Sequence, residues 1–331
     1  MNGEVRRPLR PLTVRILARL PGAPELWIAV WALVPWVNAG ANLLLDTDSK
    51  SAIWDQSRTL VLLNYTALSF AIVITLWGTN RIALRLETLR ETTAKVLEEG
   101  DLREPFREMN SVVGPLLASG ATSIAFAASA LALDGWMPAI LRGATWFILG
   151  VALWTFLWTY GSLQLGLDRL GRERLLPDAA RVDPGLGLRP LGEVAFMGLW
   201  MLLTWLVPLL LTGLPDLVGV AIGVLVLSGG LAAFFLSLLR LHRQMVEVKA
   251  RELAIARELY AQAYEPVRAA PTLEALEQQR GLLGAADALE KRARAIHDWP
   301  IDEGTFARVL TITTSVIGIT IARLILDPFG L

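Results

Sequence analysis

The stretch "GATWFILGVALWTFLWTYGSL" (residues 143–163) runs for 21 residues without an Asp, Glu, Lys, Arg or His. An α-helix rises 1.5 Å per residue, so a run of this length crosses the ~30 Å hydrocarbon core of a bilayer. Hydrocarbon offers the backbone no hydrogen-bond partner, whereas a helix satisfies its own peptide groups. The stretch therefore predicts a transmembrane helix and an all-α fold.

Comparable apolar blocks recur along the whole chain. It has 331 residues, of which 54% are hydrophobic and 19% charged, whereas soluble domains carry about 25% charged residues. The expected protein is a polytopic membrane protein with seven spans. They are predicted at about Leu26–Leu45, Thr59–Thr79, Val112–Leu133, Gly143–Leu163, Val194–Leu214, Leu217–Leu239 and Phe306–Leu326.

The basic residues predict the orientation of these spans. The N-terminus and the predicted loops 81–110 and 166–193 together hold 16 Lys and Arg residues. The opposite side holds four, which are Lys50, Arg58, Arg142 and Arg323. Short basic loops stay in the cytoplasm, so the N-terminus is expected inside and the C-terminus outside a cell (inner) membrane.

This orientation divides the chain into four parts. They are a basic cytoplasmic N-terminus (1–25), a six-helix membrane region (26–239), a cytoplasmic helical segment (240–303) and a seventh span with a short external tail (304–331). The alternative for the start of the chain is a cleaved twin-Arg signal, from "RRPLRPL" (6–12) and the small residues 39–41. Six further spans favour an anchored first helix.

Three apolar stripes at helical spacing predict helices that continue beyond the membrane. The first comprises Ile82, Leu86, Leu89, Thr93 and Val96, and the third comprises Leu282, Leu289 and Ile296. The second lies in residues 240–262, which contain no Gly or Pro, so the sixth span should continue to Pro266. We expect a cytoplasmic helical bundle, and helices lying on the inner leaflet are the alternative.

The composition argues against several classes of function. There is no Cys, the two His are not at ligand spacing, and the predicted spans two to six contain no Asp, Glu, Lys, Arg or His. Motifs for metalloproteases, serine hydrolases and P-loop enzymes are absent, so no enzyme activity, metal or cofactor is expected. Basic and acidic residues balance at 31 each, which gives no indication of a nucleic-acid partner. The expected partners are membrane lipid and further copies of the chain, and the sequence leaves any small-molecule ligand open.

Polar groups in the first two spans predict one contact between helices. Asn38 and Asn64 lie in adjacent spans, where an amide bridge would hold the two helices together. Pro35 frees a backbone carbonyl one turn earlier, which gives such an amide a second potential partner.

The last span, "TITTSVIGITIARLIL" (311–326), carries an unusual number of hydroxyls. Thr311, Thr314, Ser315 and Gly318 share one helical face, and Thr313 and Thr320 widen it. Near the outer end, Arg323 and Asp327 are candidates for the mouth of a pore, and the alternative for Arg323 is an anchor at the outer surface or a pair with Asp327. Hydroxyls can bond back to their own helix, so this face is compatible with ordinary packing between helices. It also suits the wall of a water-filled pore, where hydroxyls replace part of an ion's hydration. Both interpretations stay open.

Two resemblances accompany these patterns. The loop "PDAARVDPGLGLRPLGEVAF" (177–196) resembles a cytosolic loop of uncharacterised prokaryotic multi-pass proteins, which implies no particular activity. The predicted topology is similar to that of insect gustatory and odorant receptor channels. That resemblance implies seven spans, a cytoplasmic bundle and a split last helix lining a tetrameric pore. Residues 306–326 lack the Tyr and Gln of that family, so no ligand-binding residue is carried over.

The expected function is a homo-oligomeric, channel-like membrane protein, gated by a ligand or another stimulus. Acidic residues outnumber basic ones on the predicted outer side, which favours cations. The alternatives are a non-conducting scaffold or sensor and a facilitative transporter. Internal repeats, which are common in transporters, are not evident.

Overall fold

The computed structural model describes residues 9–44, 58–93, 104–172, 184–212, 217–269 and 272–326. Their regular structure is entirely helical, which confirms the all-α class. The α-helices are α1 (Leu12–Leu17), α2 (Pro24–Ala32), α3 (Val34–Leu44), α4 (Arg58–Thr93), α5 (Val113–Asp134), α6 (Trp136–Leu170), α7 (Arg189–Thr212), α8 (Leu217–Ala269), α9 (Leu273–Ala295) and α10 (Glu303–Leu326). A short 3-10 helix, Arg107–Asn110, precedes α5.

Four of these helices are long and apolar enough to cross a bilayer. Their membrane-length stretches are Leu62–Leu89 in α4, Val113–Leu133 in α5, Trp136–Leu170 in α6 and Gly223–Ala269 in α8. They contain the second, third, fourth and sixth predicted spans in whole or in large part. The fifth and seventh predicted spans fall in α7 and α10, which have 24 residues each.

The first predicted span is not one continuous helix. It is divided at Leu33 into α2 and α3, which have 9 and 11 residues. Pro35 explains the break, because its ring removes the N–H that would bond to the carbonyl of Trp31 and collides with that carbonyl. Leu45, the predicted end of this span, lies outside the described residues.

Three helices continue past the predicted membrane boundaries. α4 extends to Thr93 and α6 to Leu170, so the cytoplasmic segments predicted at 81–110 and 166–193 begin as helix. α8 has 53 residues and ends at Ala269, three residues after Pro266. The long helix predicted after the sixth span is thus confirmed.

Close packing of small residues joins α5 and α6 into a hairpin. A side chain added at Gly143 would meet Ala127 at 3.0 Å, and one added at Gly150 would meet Ser119 at 3.2 Å. The Ser123 hydroxyl donates to the carbonyl of Gly143 at 2.7 Å. The small residues of the third span therefore serve close helix contact, as predicted.

Contacts between distant segments bring the basic ends of the helices together. Arg169 pairs with Glu108 at 2.6 Å, which places the end of α6 beside the start of α5. Arg240 pairs with Asp168 at 2.6 Å, which adds the middle of α8 to the same end. The N-terminal segment joins them, since the N–H of Leu9 donates to the carboxylate of Glu87 at 2.8 Å.

Residues of all three apolar stripes enter one hydrophobic core, among them Leu86 of the first, Met245 of the second and Ile296 of the third. Ile82, Leu86 and Leu89 are buried in the main core, where α4 packs along α7. α9 instead folds back along α8. Thr93 is the last described residue of the first stripe, and Val96 lies outside the described residues.

Buried alanines, and not the predicted leucines, form the contact between α8 and α9. Ala256 and Ala263 of α8 and Ala286 and Ala293 of α9 are buried, each pair seven residues apart, whereas Leu282 is 43% exposed. Alanine lets two helix backbones approach closely, and this approach turns Leu282 away from the interface.

The start of α7 lies directly against the segment before α10. A side chain at Gly192 would overlap the backbone carbonyl of Pro300. The turn before α7 adds a second contact with this segment, since the N–H of His297 donates to the carbonyl of Pro184 at 3.0 Å. Leu186 and Leu188 of the same turn are buried. Only glycine fits at position 192.

We expect Gly192→Ala to lower stability by about 1–3 kcal/mol, the usual cost of overpacking. Gly161→Ala is the matched control, because nothing lies within 4 Å of its added methyl group. The control should be neutral or gain roughly 0.5–1 kcal/mol from helix propensity. Thermal unfolding of both variants in detergent measures the difference. Equal stability of the two variants would contradict the backbone contact at Pro300.

Candidate functional site: the last helix and the bend before it

The last helix, α10, packs mainly against α7. Its buried stripe consists of Thr305 and Val309, continued by the partly buried Ile312 and Thr313. These positions follow the 3.6-residue period and define the side of α10 that faces the protein.

The hydroxyl face lies on the opposite side of α10. Thr311, Thr314, Ser315 and Gly318 are all exposed. At 100° per residue, their mean direction is about 150° from the stripe that contains Thr305 and Val309. These four positions therefore lie on an exposed side of α10 that does not contain its buried stripe.

Each of the three exposed hydroxyls donates its proton to the backbone of α10. Thr311 donates to the carbonyl of Ala307 at 2.9 Å, and Ser315 donates to the carbonyl of Thr311 at 2.8 Å. Thr314 lies 2.9 Å from the carbonyls of both Leu310 and Thr311. Because the protons point into the helix, the oxygen lone pairs are left to face outward.

The other predicted residues of this span have different surroundings. The Thr313 hydroxyl is buried and has no hydrogen-bond partner among the described residues. A methyl group added at Gly318 would meet nothing within 4 Å. Thr320 and Arg323 belong to α10, but their side chains, like the whole of Asp327, lie outside the described residues.

Asp302 caps the N-terminus of α10. Its carboxylate accepts the backbone N–H of Thr305 at 2.6 Å and pairs with Arg189 of α7 at 2.8 Å. The hydroxyl and backbone N–H of Thr305, followed by the charges of Arg189 and Arg308, hold the pKa of this carboxyl below its ordinary value of 3.8. The same side chain thus starts α10 and attaches it to α7.

The bend at residues 297–300 attaches α10 to the second half of α8, the part that follows Arg240, which we call the arm. The Trp299 ring stacks on His242 with 4.3 Å between ring centroids, and a ring nitrogen of His242 lies 2.6 Å from the carbonyl of Asp298. Lys249 pairs with the carboxylate of Asp298 at 2.8 Å. Trp299 also contacts Phe235 edge-on at 6.2 Å. The bend is therefore held to α8 by contacts with three of its side chains, Phe235, His242 and Lys249.

A cavity of about 700 Å³ lies beside this bend. Its polar lining includes Lys249, Arg294, His297, Asp298 and Asp302. Charges of both signs are present, and Lys249 and Asp298 neutralise each other by direct contact.

The predicted bridge between Asn38 and Asn64 is wrong. Asn38 instead accepts a hydrogen bond from the Thr145 hydroxyl of α6 at 3.2 Å. The carbonyl oxygen of the Asn64 side chain is buried without a partner among the described residues. α3 crosses α6 as well as α4, and this crossing gives Asn38 the nearer partner.

A buried polar contact between α6 and α8 was missed from the sequence. Ser237 donates to the side chain of Gln164 at 2.6 Å, and the Tyr160 hydroxyl donates to the carbonyl of Gly230 at 2.8 Å. Gln164 stands one residue beyond the predicted end of the fourth span. The unbroken helical pattern through residue 170 was the signal that could have included it.

The described residues contain no group of three or more His, Cys, Asp or Glu arranged to hold a metal ion. No family model, curated protein or solved structure matches the chain.

Asp302→Ala should lower stability at neutral pH by about 0.5–2 kcal/mol, the usual cost of losing an N-cap. Asp302→Asn should lose less, because Asn still caps the helix and an exposed ion pair contributes only ~0–1 kcal/mol. Thermal unfolding of the three proteins measures these differences.

The advantage of the wild type over Asp302→Ala should also depend on pH. The pKa of Asp302 is lowered in the folded protein, so its contribution is complete above the ordinary value of 3.8 and is lost as the pH falls through the lower folded value. The difference between Asp302→Asn and Asp302→Ala should not change over the same range. A wild-type advantage that does not decline as the pH falls below 3.8 would contradict this assignment.

Proposed function

We propose that this protein is a homo-oligomeric, channel-like protein of the cell (inner) membrane, with the hydroxyl face of α10 lining a path for cations. The proposal includes seven spans, a cytoplasmic N-terminus and an external C-terminus. The first span is then formed by α2 and α3 together, and α7 and α10 are the fifth and seventh.

One observation carries this proposal. Thr311, Thr314 and Ser315 are exposed, and their mean direction on α10 is about 150° from the stripe that packs on α7. A face used for packing inside one protomer would point toward the other helices. In a ring of copies, α10 can turn this face toward the central axis, where water would contact the hydroxyls.

The arrangement of the hydroxyls favours cations. Their protons are donated to the carbonyls of Ala307, Leu310 and Thr311, so the oxygen lone pairs are oriented outward. Oxygen lone pairs replace the hydration of a cation and not that of an anion. No charged residue lies on this face between positions 311 and 318, which suits passive conduction.

Control of such a path is supported by the bend at residues 297–300. It is bound to His242 and Lys249 of α8 on one side and to α7 on the other. The cytoplasmic α8–α9 hairpin, which begins at this bend, is therefore the part where a stimulus would act. A non-conducting scaffold is the alternative, and it requires the hydroxyl face to be buried between copies without a water path. A facilitative transporter is a third possibility that no particular contact favours.

Thr314→Val and Ser315→Leu should reduce cation flux in liposomes at least several-fold, because each removes an oxygen from the path. Thr313→Val is the matched control, because the Thr313 hydroxyl is buried and unpaired among the described residues. Replacing an unpaired buried hydroxyl with a methyl group should be neutral or stabilising and should leave flux unchanged. Unchanged flux in normally assembled Thr314→Val and Ser315→Leu proteins would show that these hydroxyls do not line the path. A stable monomer without flux would end the channel proposal.

The orientation can be tested by labelling single cysteines, since the chain contains none of its own. Met137 at the start of α6 is 49% exposed and Leu282 on α9 is 43% exposed. Met137→Cys should react with an impermeant reagent from outside, and Leu282→Cys should react only after the cytoplasmic side is opened. The reverse pattern would overturn the proposed topology.

A further inference from the structure

A second cavity, of about 590 Å³, lies in a crevice between α7 and α10. Its walls are apolar and are formed by Phe196, Met197 and Trp200 of α7 and by Ile312 of α10. Its mouth carries two charged side chains, Glu193 and Arg308. The crevice is therefore amphipathic along its length.

The direction of the crevice matches that of a lipid in the bilayer. α7 and α10 run parallel, since Arg189 pairs with Asp302 where both helices begin. Trp200 lies seven residues beyond Glu193, which is ~10 Å deeper along the helix axis. The charged mouth is thus at the end that gathers the basic segments, and the apolar part lies toward the membrane centre.

Arg308 is the charged side chain of the mouth that is left for a ligand. Arg189 contacts both neighbouring carboxylates, Glu193 at 3.2 Å and Asp302 at 2.8 Å. Arg308 is exposed and acts on the Asp302 carboxyl through its charge, but it makes no ion pair or hydrogen bond with the described residues. Its guanidinium offers five N–H donors in the geometry that a phosphate binds.

We infer that this crevice binds an anionic phospholipid of the inner leaflet, with its phosphate on Arg308 and one acyl chain between Met197, Trp200 and Ile312. Acyl chains fit apolar walls of this length, and basic pockets between membrane helices on the cytoplasmic side bind anionic head groups. The site requires insertion in a membrane but does not depend on ion conduction. It lies beside Thr311, so a bound lipid would contact the flank of the hydroxyl face.

Lipid retention on the purified full-length protein, measured by native mass spectrometry, tests this site. The protein is exchanged into detergent containing dioleoyl phosphatidylglycerol or dioleoyl phosphatidylcholine, which share their acyl chains and differ in charge. We expect retention of the anionic lipid to exceed that of the zwitterionic lipid. Glycerol 3-phosphate, which has the anionic group without the chains, should not compete at equal concentration.

Two variants separate the headgroup from the chain. Arg308→Gln should weaken retention of phosphatidylglycerol about five-fold, equivalent to the ~1 kcal/mol of one basic residue at an anionic surface. Arg280→Gln is the control, because it removes the same charge from an exposed position on α9. Ala307→Phe, at an exposed position lining the crevice, should reduce retention of both lipids roughly ten-fold or more by occupying the space of the chain.

Three results would overturn the inference. Equal retention of the two lipids, or equal effects of Arg308→Gln and Arg280→Gln, would remove the headgroup site. Full competition by glycerol 3-phosphate would show that a phosphate binds without the acyl chain. An oligomer that retains no lipid would show that a second copy of the chain fills the crevice.

Discussion

The contact between Gly192 and the backbone of Pro300 determines where the last helix stands. α10 packs mainly on α7, so its direction depends on how its first turn is attached there. A backbone carbonyl against a glycine leaves no side chain that could adjust, and this makes the joint stiff. Asp302 then begins the helix a few residues later and bonds to Arg189 of α7. This contact therefore sets the positions of the bend, the crevice and the hydroxyl face.

Much of the fold follows from run length and period. Four of the predicted spans lie in helices of membrane length. A long apolar run predicts a helix because a helix makes all its backbone hydrogen bonds within one segment. The continuation of α8 was predictable because residues 240–262 contain nothing that interrupts a helix. The break at Leu33 was not predicted, because the apolar run was read as one helix. The steric effect of Pro35 interrupts that helix. The pairing of α9 with α8 by alanines was not predictable, since methyl side chains give a weak periodic signal and the leucines drew attention to another face.

In the candidate site, too, residue spacing predicted some features, whereas contacts between distant residues determined the others. The hydroxyls of Thr311, Thr314 and Ser315 share a face by spacing alone, and this was visible in the sequence. The direction of that face depends on Thr305 and Val309 packing against α7, which residue spacing does not contain. The contact of Arg189 with Asp302 joins residues 113 positions apart, and the partner of Asn38 lies 107 positions away. Such pairings arise from how helices cross and not from the period of any single helix.

The 53-residue length of α8 has a mechanical consequence. At 1.5 Å per residue the helix is ~80 Å long, and the part after Arg240 is an arm of ~44 Å. Lys249, which holds the bend through Asp298, lies only ~14 Å along that arm. If the arm pivots at Arg240, a displacement at its tip reaches the bend reduced about three-fold, with the force increased by the same factor. A displacement at the tip of the hairpin would thus arrive at the start of the last helix smaller and with greater force.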